Sequence, residues 1–358
     1  MNRLIATPRR SATTAVLATL ACVAALSAAA QPTATPSPTR PVHTYSIVAR
    51  HPVTGDFGVA VQSHWFQVGA IVAWAEAGVG AVATQSFVEP AYGPRGLALM
   101  AGGWSAEEAL EQLLAGDEQR AVRQVAMVDA AGRVSAWTGE KCIAAAGHRT
   151  GDGYSVQANL MENPTVWPAM ATAYEAALAD PGTDFAGALL AALRAAEAEG
   201  GDIRGAQSAA LLVVRAKTTG DRWRDRLVDL RVDDHPAPLD ELDRLLALHR
   251  AYDEMNAGDA AMATGDFEAA VGHYSRATAM APDIVELPFW QAATLFVEGR
   301  EDEALPIFRR VFAAEPRWVE VVRRLPAAGL LPDEAAVERI LAVAPGAPPA
   351  AATPETPR

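Results

Sequence analysis

A threonine at the start of the first strand-like run is the residue whose type and position best fit nucleophilic chemistry. The run TYSIVAR (44–50) is separated by the turn signal HPVTG from FGVAVQS (57–63). If the two runs pair as a hairpin across that turn, Thr44 lies opposite Ser63. Two interpretations follow. Thr44 is an ordinary strand residue, or it is the N-terminal nucleophile of a hydrolase.

Polar residues gather where the second run ends. Gln62, Ser63 and His64 follow an apolar stretch, and ATQSF (83–87) repeats the pattern with Gln85. Polar groups at the end of a buried strand cost free energy unless they have partners or serve a site. They are therefore candidates for a common site, and the alternative is that they cap backbone groups at strand ends.

The remaining chemical candidates lie further along the chain. The loop GGDIRG contains Asp202 and Arg204, which either pair to orient a site or recognise a carboxylate, or lie in a solvated turn. Cys142 and His148 are six residues apart, but the alanine-rich segment CIAAAGH favours a buried structural cysteine. The seven histidines show no paired metal-ligand spacing, so we expect no metal site and no cofactor.

Short apolar runs bounded by turn signals predict strands, and periodic runs between cap signals predict helices. Strands are predicted at 44–49, 57–62, 69–74 and 80–87, in a hairpin over 123–139, and at 208–216 and 227–233. Helices are predicted at 105–116, 164–180 and 184–200. Because strands and helices cluster instead of alternating strictly, the order favours an α+β layered sandwich over a doubly wound parallel sheet.

The last third of the chain contains an internal repeat. Five residues recur 34 positions later: Gly265, Ala270, Tyr274, Arg276 and Pro282 return as Gly299, Ala304, Phe308, Arg310 and Pro316. This is the length and pattern of a tetratricopeptide repeat. Two units are too few to stand alone, so the predicted helix 239–258, the first domain or a second copy of the chain must support them. We expect an all-α domain over 237–344 that binds a protein or peptide partner.

Both ends of the chain have the composition of unfolded or processed segments. Residues 1–30 combine three arginines, an apolar run and the small residues SAAA before Gln31, which is typical of a secretory signal peptide. Residues 31–43 predict a Pro/Thr-rich linker and residues 345–358 a disordered tail. We therefore expect an exported protein, periplasmic or secreted, without a membrane span after signal removal.

The charge balance excludes one class of partner. Without residues 1–30, 27 basic and 43 acidic residues remain, a net charge of −16. Such a surface repels phosphate backbones, so we expect no nucleic-acid partner. Cys22 is lost with the signal peptide, so Cys142 has no partner for an internal disulfide.

Six segments together resemble the bacterial family known as domain of unknown function 1028. In order over residues 44–248 they are TYSIVARHPVTGDFGVAVQS, GVGAVATQSF, YGPRGL, GHRTGDGYSVQANL, GGDIRGAQSAALLVV and DLRVDDHPAPLDELDRLL. That family resembles a branch of the N-terminal nucleophile (Ntn) hydrolases, whose fold is a four-layer αββα sandwich. The resemblance implies this sandwich over 44–236, with a Thr, Ser or Cys at the first position of the first strand, where Thr44 stands.

The resemblance also implies roles for the candidate residues. A free α-amine on Thr44, with a pKa of about 8, takes the proton of its own hydroxyl, which attacks an amide carbonyl. The oxyanion is held by backbone amides or by the side chains of Gln62, Ser63 and Gln85. His64 relays a proton or caps a strand, and the candidate substrate-binding residues are Asn159, Asp202 and Arg204.

One difference from proteasome-like Ntn hydrolases is visible in the sequence. Those proteins carry an Asp at the end of the second strand and a Lys on the next strands. Here Gln62 occupies the first position, and the only lysines are Lys141 and Lys217. The charge network that activates the proteasome nucleophile is thus not reproduced.

Two function hypotheses remain open. The first is an exported amidohydrolase or peptidase that acts on a small amide, with Thr44 as nucleophile and the repeats docking a partner. It predicts a mature chain that begins at Thr44. The second is a non-catalytic binding or scaffold protein that acts through its repeats, and it predicts a chain that begins near Gln31.

Overall fold

The computed structural model describes residues 42–346 of the 358-residue chain. The predicted signal peptide, the linker up to residue 41 and the tail beyond residue 346 lie outside the described residues. Val42 and His43, which the sequence assigns to the linker, are instead part of the folded region. Both side chains are buried, and Val42 joins the apolar cluster between two sheets, which is why the fold begins before Thr44.

The first sheet has six antiparallel strands in the order β10-β9-β2-β1-β8-β7. Its strands are β1 Thr44–Arg50, β2 Phe57–Ser63, β7 Gly147–Gly151, β8 Tyr154–Asn159, β9 Ser208–Val214 and β10 Arg226–Val232. The register of β1 with β2 pairs Thr44 with Ser63, which confirms the predicted hairpin. β1 is a central strand, flanked by β2 and β8.

The second sheet has four antiparallel strands in sequence order. They are β3 Ala73–Glu76, β4 Gly80–Ser86, β5 Arg123–Asp129 and β6 Val134–Thr138, and the predicted β5–β6 hairpin is confirmed. The strand predicted at 69–74 is wrong in its first half, because Val68–Ala70 form a 3-10 helix after Gln67, whose φ is 56°. A continuous apolar run fits a buried turn as well as a strand, and pattern alone does not separate them.

Helices cover the outer face of each sheet. α1 Tyr92–Ala101 and α2 Ala106–Ala115 pack on the second sheet, and α3 Val166–Ala179 and α4 Phe185–Ala198 pack on the first. α2 begins with a capping box formed by Ser105 and Glu108, which agrees with the helix predicted at 105–116. Between the sheets lies an apolar cluster that includes Val48, Val59 and Ala126. The molecule is therefore a mixed α+β protein with antiparallel sheets in its first part.

The hairpin of β7 and β8 has no counterpart among the sequence predictions. Its connection is the two-residue turn Asp152-Gly153, in which Gly153 has a φ of 71°. Asp-Gly between strands is a strong hairpin signal, but the glycines of GHRTGDG are also typical of an irregular loop. The omission matters for the site, because β8 pairs with β1 and sets Asn159 opposite Thr44.

The C-terminal part is entirely helical. Its helices are α5 Pro238–Thr264, α6 Phe267–Met280, α7 Glu286–Val297, α8 Glu301–Ala314, α9 Trp318–Arg324 and α10 Glu334–Leu341. The repeated residues occupy equivalent places: Ala270 and Ala304 are fully buried, and Gly265 and Gly299 are both left-handed after a helix. None of the helices between residues 42 and 346 combines the length and the apolar character that crossing a membrane requires.

α5 connects this helical part with the sheets. Leu239, Leu242 and Leu246, in its first half, join the core under the six-stranded sheet. Ala251 and Met255, in its second half, join a cluster with α6 and α7. The helix is continuous over 27 residues, so the sheets and the helical part share one helix.

Candidate active site

Thr44 lies at the start of β1 with its side chain between the two sheets. Strand residues alternate between faces, and Ser46 and Val48 lie on the same face as Thr44, toward the second sheet. Thr44 is completely buried. Its neighbours across the strand pairs are Ser63 on β2 and Asn159 on β8, so three predicted site residues meet here.

The residues before Thr44 occupy the space next to its hydroxyl. The Thr44 hydroxyl donates to the Val42 carbonyl oxygen (2.9 Å) and lies 3.3 Å from the Ser63 hydroxyl oxygen. Val42 forms an antiparallel bridge with Ser86: the Val42 N–H donates to the Ser86 carbonyl (2.5 Å), and the Ser86 N–H donates to the Val42 carbonyl (2.9 Å). The upstream segment thus covers Thr44, whose nitrogen is in the peptide bond with His43.

The carbonyl oxygen of that same peptide bond accepts two side-chain hydrogen bonds. One comes from the Ser63 hydroxyl, and the other comes from Nη2 of Arg204, at 3.1 Å. A carbonyl oxygen held by a hydroxyl and a guanidinium is polarised, and negative charge that develops on it is stabilised. The two donors therefore surround the bond between His43 and Thr44 in the way an oxyanion hole surrounds a reacting carbonyl.

The position of Arg204 is fixed by Asp202. Nη2 and Nε of Arg204 bind the two carboxylate oxygens of Asp202 at 2.7 and 3.0 Å, a bidentate pair. The Asp202 carboxylate is fully buried and also accepts from the backbone N–H of His64 (3.3 Å). The pair predicted in GGDIRG thus forms, and its turn directs Arg204 at the His43 carbonyl, next to the buried Thr44.

His43 contacts Asn159 and is held as a neutral imidazole. Its Nδ1 donates to Oδ1 of Asn159 (3.1 Å), and the side chain is 4% exposed. Burial lowers the pKa of His43 from 6.5, and the Arg204 charge lowers it further, against the opposing effects of the hydrogen bond to Asn159 and the Asp202 charge.

A network of neutral side chains continues from Thr44 into the space between the sheets. Nε2 of Gln85 donates to the Thr44 carbonyl (3.1 Å) and to Oε1 of Gln124 (2.7 Å), and its Oε1 accepts from Ser46 (2.6 Å). Gln124 also accepts from Asn159 (2.9 Å). Gln85 was a candidate from sequence, whereas Gln124 and Ser46 were missed. Their signal is a polar residue inside a run of buried strand residues, at RQVAMVD and TYSIVAR.

Gln62 does not join this group. Gly58 and Ala60, on the same face of β2, lie against the α4 side of the sheet, so alternation directs Gln62 away from Thr44. Its amide is fully buried, and neither polar atom has a hydrogen-bond partner within the described part of the chain. The predicted oxyanion role of Gln62 is therefore incompatible with its position. The side chain of His64 is exposed, and His64 reaches the site only through its backbone N–H.

The remaining chemical candidates have separate partners. The Cys142 thiol donates to the Arg123 carbonyl (3.4 Å), and burial raises its pKa, which disfavours the thiolate. His148 bonds to the Thr138 hydroxyl (2.8 Å). Between residues 42 and 346 no three His, Cys, Asp or Glu side chains form a group that a metal ion would fit.

Comparison with known proteins gives a family and a solved relative. The family model described as "Family of unknown function (DUF1028)" matches residues 44–242. The chain is also similar to protein SPO2555 from Silicibacter pomeroyi, whose crystal structure carries the same family designation. The identity is 31%, the match covers 57% of this chain and 88% of that one, and the TM-score is 0.50. No curated protein matches.

Proposed function

The chain belongs to the DUF1028 family of unknown function, and from this premise we propose that residues 44–236 are an Ntn-type amidohydrolase with Thr44 as nucleophile. The order of layers, helices then two antiparallel sheets then helices, supports an αββα sandwich of that superfamily. Thr44 at the first position of a central strand, facing the space between the sheets, is where such a fold carries its nucleophile.

One observation carries the proposal: the carbonyl of the His43–Thr44 bond accepts from Ser63 and Arg204. Attack of the Thr44 hydroxyl on the His43 carbonyl carbon closes a five-membered ring and places negative charge on that oxygen. The C–N bond then breaks, the hydroxyl proton ends on the new amine, and an ester joins His43 to Thr44. Water cleaves the ester to a His43 carboxylate and a free Thr44.

The same residues then serve the cleavage of other amides. The free α-amine of Thr44, with an ordinary pKa of about 8, accepts the hydroxyl proton. Ser63 and Arg204 again hold the oxyanion, and Gln85, through the Thr44 carbonyl, fixes the backbone of the nucleophile. Arg204 supplies the positive charge that lysine supplies in proteasome-like enzymes.

The test is the start of the mature chain. The protein is expressed from residue 31 and its intact mass is followed at pH 7.5, where conversion to a chain that begins at Thr44 is expected. Thr44→Ala abolishes the conversion, and Thr44→Ser retains it because the hydroxyl remains. Arg204→Gln slows it about 10²-fold or more, the usual effect of losing one oxyanion donor.

The matched control is Thr54→Ala, which removes a threonine of the exposed turn between β1 and β2 and leaves the conversion unchanged. A folded wild-type chain that keeps residue 31 indefinitely contradicts self-cleavage. The cleaved chain is next assayed on a panel of small amides and peptides, and an equal rate for Thr44→Ala excludes Thr44 as the catalytic nucleophile.

Export is the setting we propose for this reaction. Removal of a signal peptide before Gln31 leaves thirteen residues ahead of Thr44, so the nucleophile stays acylated until the second cut. Mass and cell fraction of the protein from its native host report both steps. Retention of residues 1–30 in a cytoplasmic fraction contradicts export.

A second candidate function rests on the helical part, whose paired helices we interpret as tetratricopeptide repeats that dock a protein partner. α5, α6 and α7 line a cavity of about 550 Å³ with Met255 and Trp290 among apolar walls, together with the acidic residues Asp259 and Glu286. This combination suits a peptide with an apolar anchor residue and a basic residue next to it.

This second function is tested by measuring the fluorescence anisotropy of labelled peptides of that type as the protein is added. Trp290→Ala weakens binding and Thr44→Ala leaves it intact, whereas equal binding by both variants contradicts it.

A further inference from the structure

We propose that the groove filled by Val42 and His43 selects peptide-like acyl donors with a small β-branched residue followed by a neutral hydrogen-bond donor such as histidine at the cleaved bond. The inference rests on the proposed function, because a substrate enters this groove only when the bond before Thr44 has been cut. In the uncut chain Val42 and His43 occupy this groove, and the His43 carbonyl accepts hydrogen bonds from Ser63 and Arg204.

The groove binds the main chain of that occupant. Val42 exchanges both of its backbone hydrogen bonds with Ser86, as an added strand does at a sheet end. Ser86 has a φ of 70°, a left-handed conformation that is costly for serine. Ser86 is the last residue of β4 and pairs with Arg123 on β5, so the backbone that binds Val42 belongs to the end of a sheet strand.

The position of His43 is selective for a hydrogen-bond donor. Nδ2 of Asn159 donates to Gln124 (2.9 Å), which leaves Oδ1, an acceptor, directed at the incoming side chain. An apolar residue in this place leaves the buried Oδ1 without a partner, which costs binding. Burial lowers the pKa of His43, and the same loss of solvent disfavours the charged side chain of lysine or arginine there.

The position of Val42 is selective for a small apolar side chain. Val42 is fully buried and belongs to the apolar cluster between the sheets, which also contains Val68, Val72 and Val88. A charged residue there would be desolvated without a partner. Together the two positions define an acyl donor of the type Val-His, read in the extended conformation.

The experiment uses the chain that begins at Thr44, obtained by self-cleavage or with a protease site placed directly before Thr44. Peptides acetyl-Pro-Val-X with a fluorogenic amide leaving group are compared for X of His, Leu and Lys. We expect kcat/KM to be about 10- to 100-fold higher for His than for Leu or Lys. Asn159→Leu removes the preference, and Asn159→Asp, which retains the acceptor, keeps His ahead of Leu.

A binding measurement separates this inference from the proposed function. Thr44→Ala, also beginning at residue 44, is titrated with the product peptides acetyl-Pro-Val-His and acetyl-Pro-Val-Leu. Hydrolysis without a preference overturns the selectivity and leaves the hydrolase standing. Preferential binding of the His peptide without hydrolysis of any peptide contradicts the proposed hydrolase function and supports the proposed selectivity of the groove.

Failure to hydrolyse and to bind contradicts both proposals. If the chain that begins at Thr44 does not fold, self-cleavage rates of the longer chain give the same comparison. His43→Leu then slows cleavage relative to His43→Asn, which keeps a donor for Asn159. Equal rates for the two variants overturn the inference.

Discussion

At the scale of residues, the site around Thr44 is built from neutral amides and hydroxyls together with one ion pair, whose carboxylate is buried and whose guanidinium is partly exposed. Gln85 and Asn159 both donate to Oε1 of Gln124, and Nε2 of Gln124 donates to the Ala158 carbonyl, so the desolvated amides are compensated. The charge sits in the pair of Arg204 and Asp202. Cleavage before Thr44 would add an amine and a carboxylate to this layer, so the base of the proposed reaction does not exist until the first cut has been made.

The first prediction compares two buried glutamines. Gln62 on β2 is directed toward the α4 side of the first sheet, and Gln85 on β4 is directed into the space between the sheets. Gln62→Leu removes an amide without partners, so the free energy of unfolding stays unchanged or rises by up to about 1 kcal/mol, and self-cleavage continues. Gln85→Leu leaves Ser46, Gln124 and the Thr44 carbonyl short of a partner, and it lowers that free energy by about 1–3 kcal/mol. Urea unfolding of both variants measures the difference, and arrest of self-cleavage by Gln62→Leu contradicts the orientation of β2.

A second prediction concerns pH. The pKa of His43 is lowered by burial from 6.5, so below pH 6.5 the unfolded chain binds more protons than the folded chain, and stability falls as pH falls. The uncleaved Thr44→Ala chain should show a lower urea midpoint at pH 5 than at pH 7.5. His148, whose pKa burial also lowers, acts in the same direction.

The control for this titration is Thr44→Ala combined with His43→Asn, which removes the His43 contribution and keeps that of His148. The decrease between pH 7.5 and pH 5 should therefore be smaller in the double variant. Equal decreases would show that His43 is already accessible to protons in the folded chain.

At the scale of elements, the β1–β2 hairpin could be predicted from the sequence, whereas β8, which pairs with the other edge of β1, could not. The β1–β2 register follows from turn length and alternation, because one residue of slip moves every side chain to the opposite face of the sheet. β8 was hidden by the glycines before it, although Asp152-Gly153 marks its turn. Thr44, Ser63 and the Asp202–Arg204 pair were accessible from the sequence. The covering of Thr44 by Val42 and His43 was not, because it depends on a long-range bridge to Ser86.

The β7–β8 turn supplies the third prediction. Gly153 has a φ of 71°, and an added Cβ would lie 3.3 Å from the Arg50 carbonyl oxygen. Gly153→Ala should lower the free energy of unfolding by about 1–2 kcal/mol and slow self-cleavage, because β8 holds Asn159 against the site. Gly182→Ala, in an exposed turn with ordinary backbone angles, should change stability by less than about 0.5 kcal/mol. Equal effects of the two substitutions would contradict the strained turn.

At the scale of the whole molecule, α5 makes the sheets and the helical part mechanically continuous. Its first half is tied to α4 by the pairs of Arg194 with Asp240 and of Arg250 with Asp184, over a shared apolar core. These ion pairs are exposed, and each adds little to the free energy of unfolding. The coupling comes from the apolar faces and from the unbroken helix, so loosening α5 should separate the two parts in unfolding.

The fourth prediction tests that coupling at Ala247, an exposed residue between the two clusters. Ala247→Pro removes a hydrogen bond of the helix interior and costs about 3 kcal/mol or more. We expect one thermal transition in the wild-type chain and two in the proline variant, by calorimetry. Ala247→Glu at the same position keeps the helix and should keep one transition. A single transition in the proline variant would show that the parts unfold together without α5.

The bridge between Val42 and Ser86 has a consequence for when the proposed enzyme becomes active. While the chain is uncut, the occupant of the groove is tethered, and its effective concentration is of the order of millimolar for so short a connection. After the cut, the released segment obeys ordinary dilution, and in the exported setting proposed above its concentration would fall far below that value. Cleavage of the bond between His43 and Thr44 would therefore convert a permanently occupied groove into an open one. Dilution of the released segment would keep the groove open.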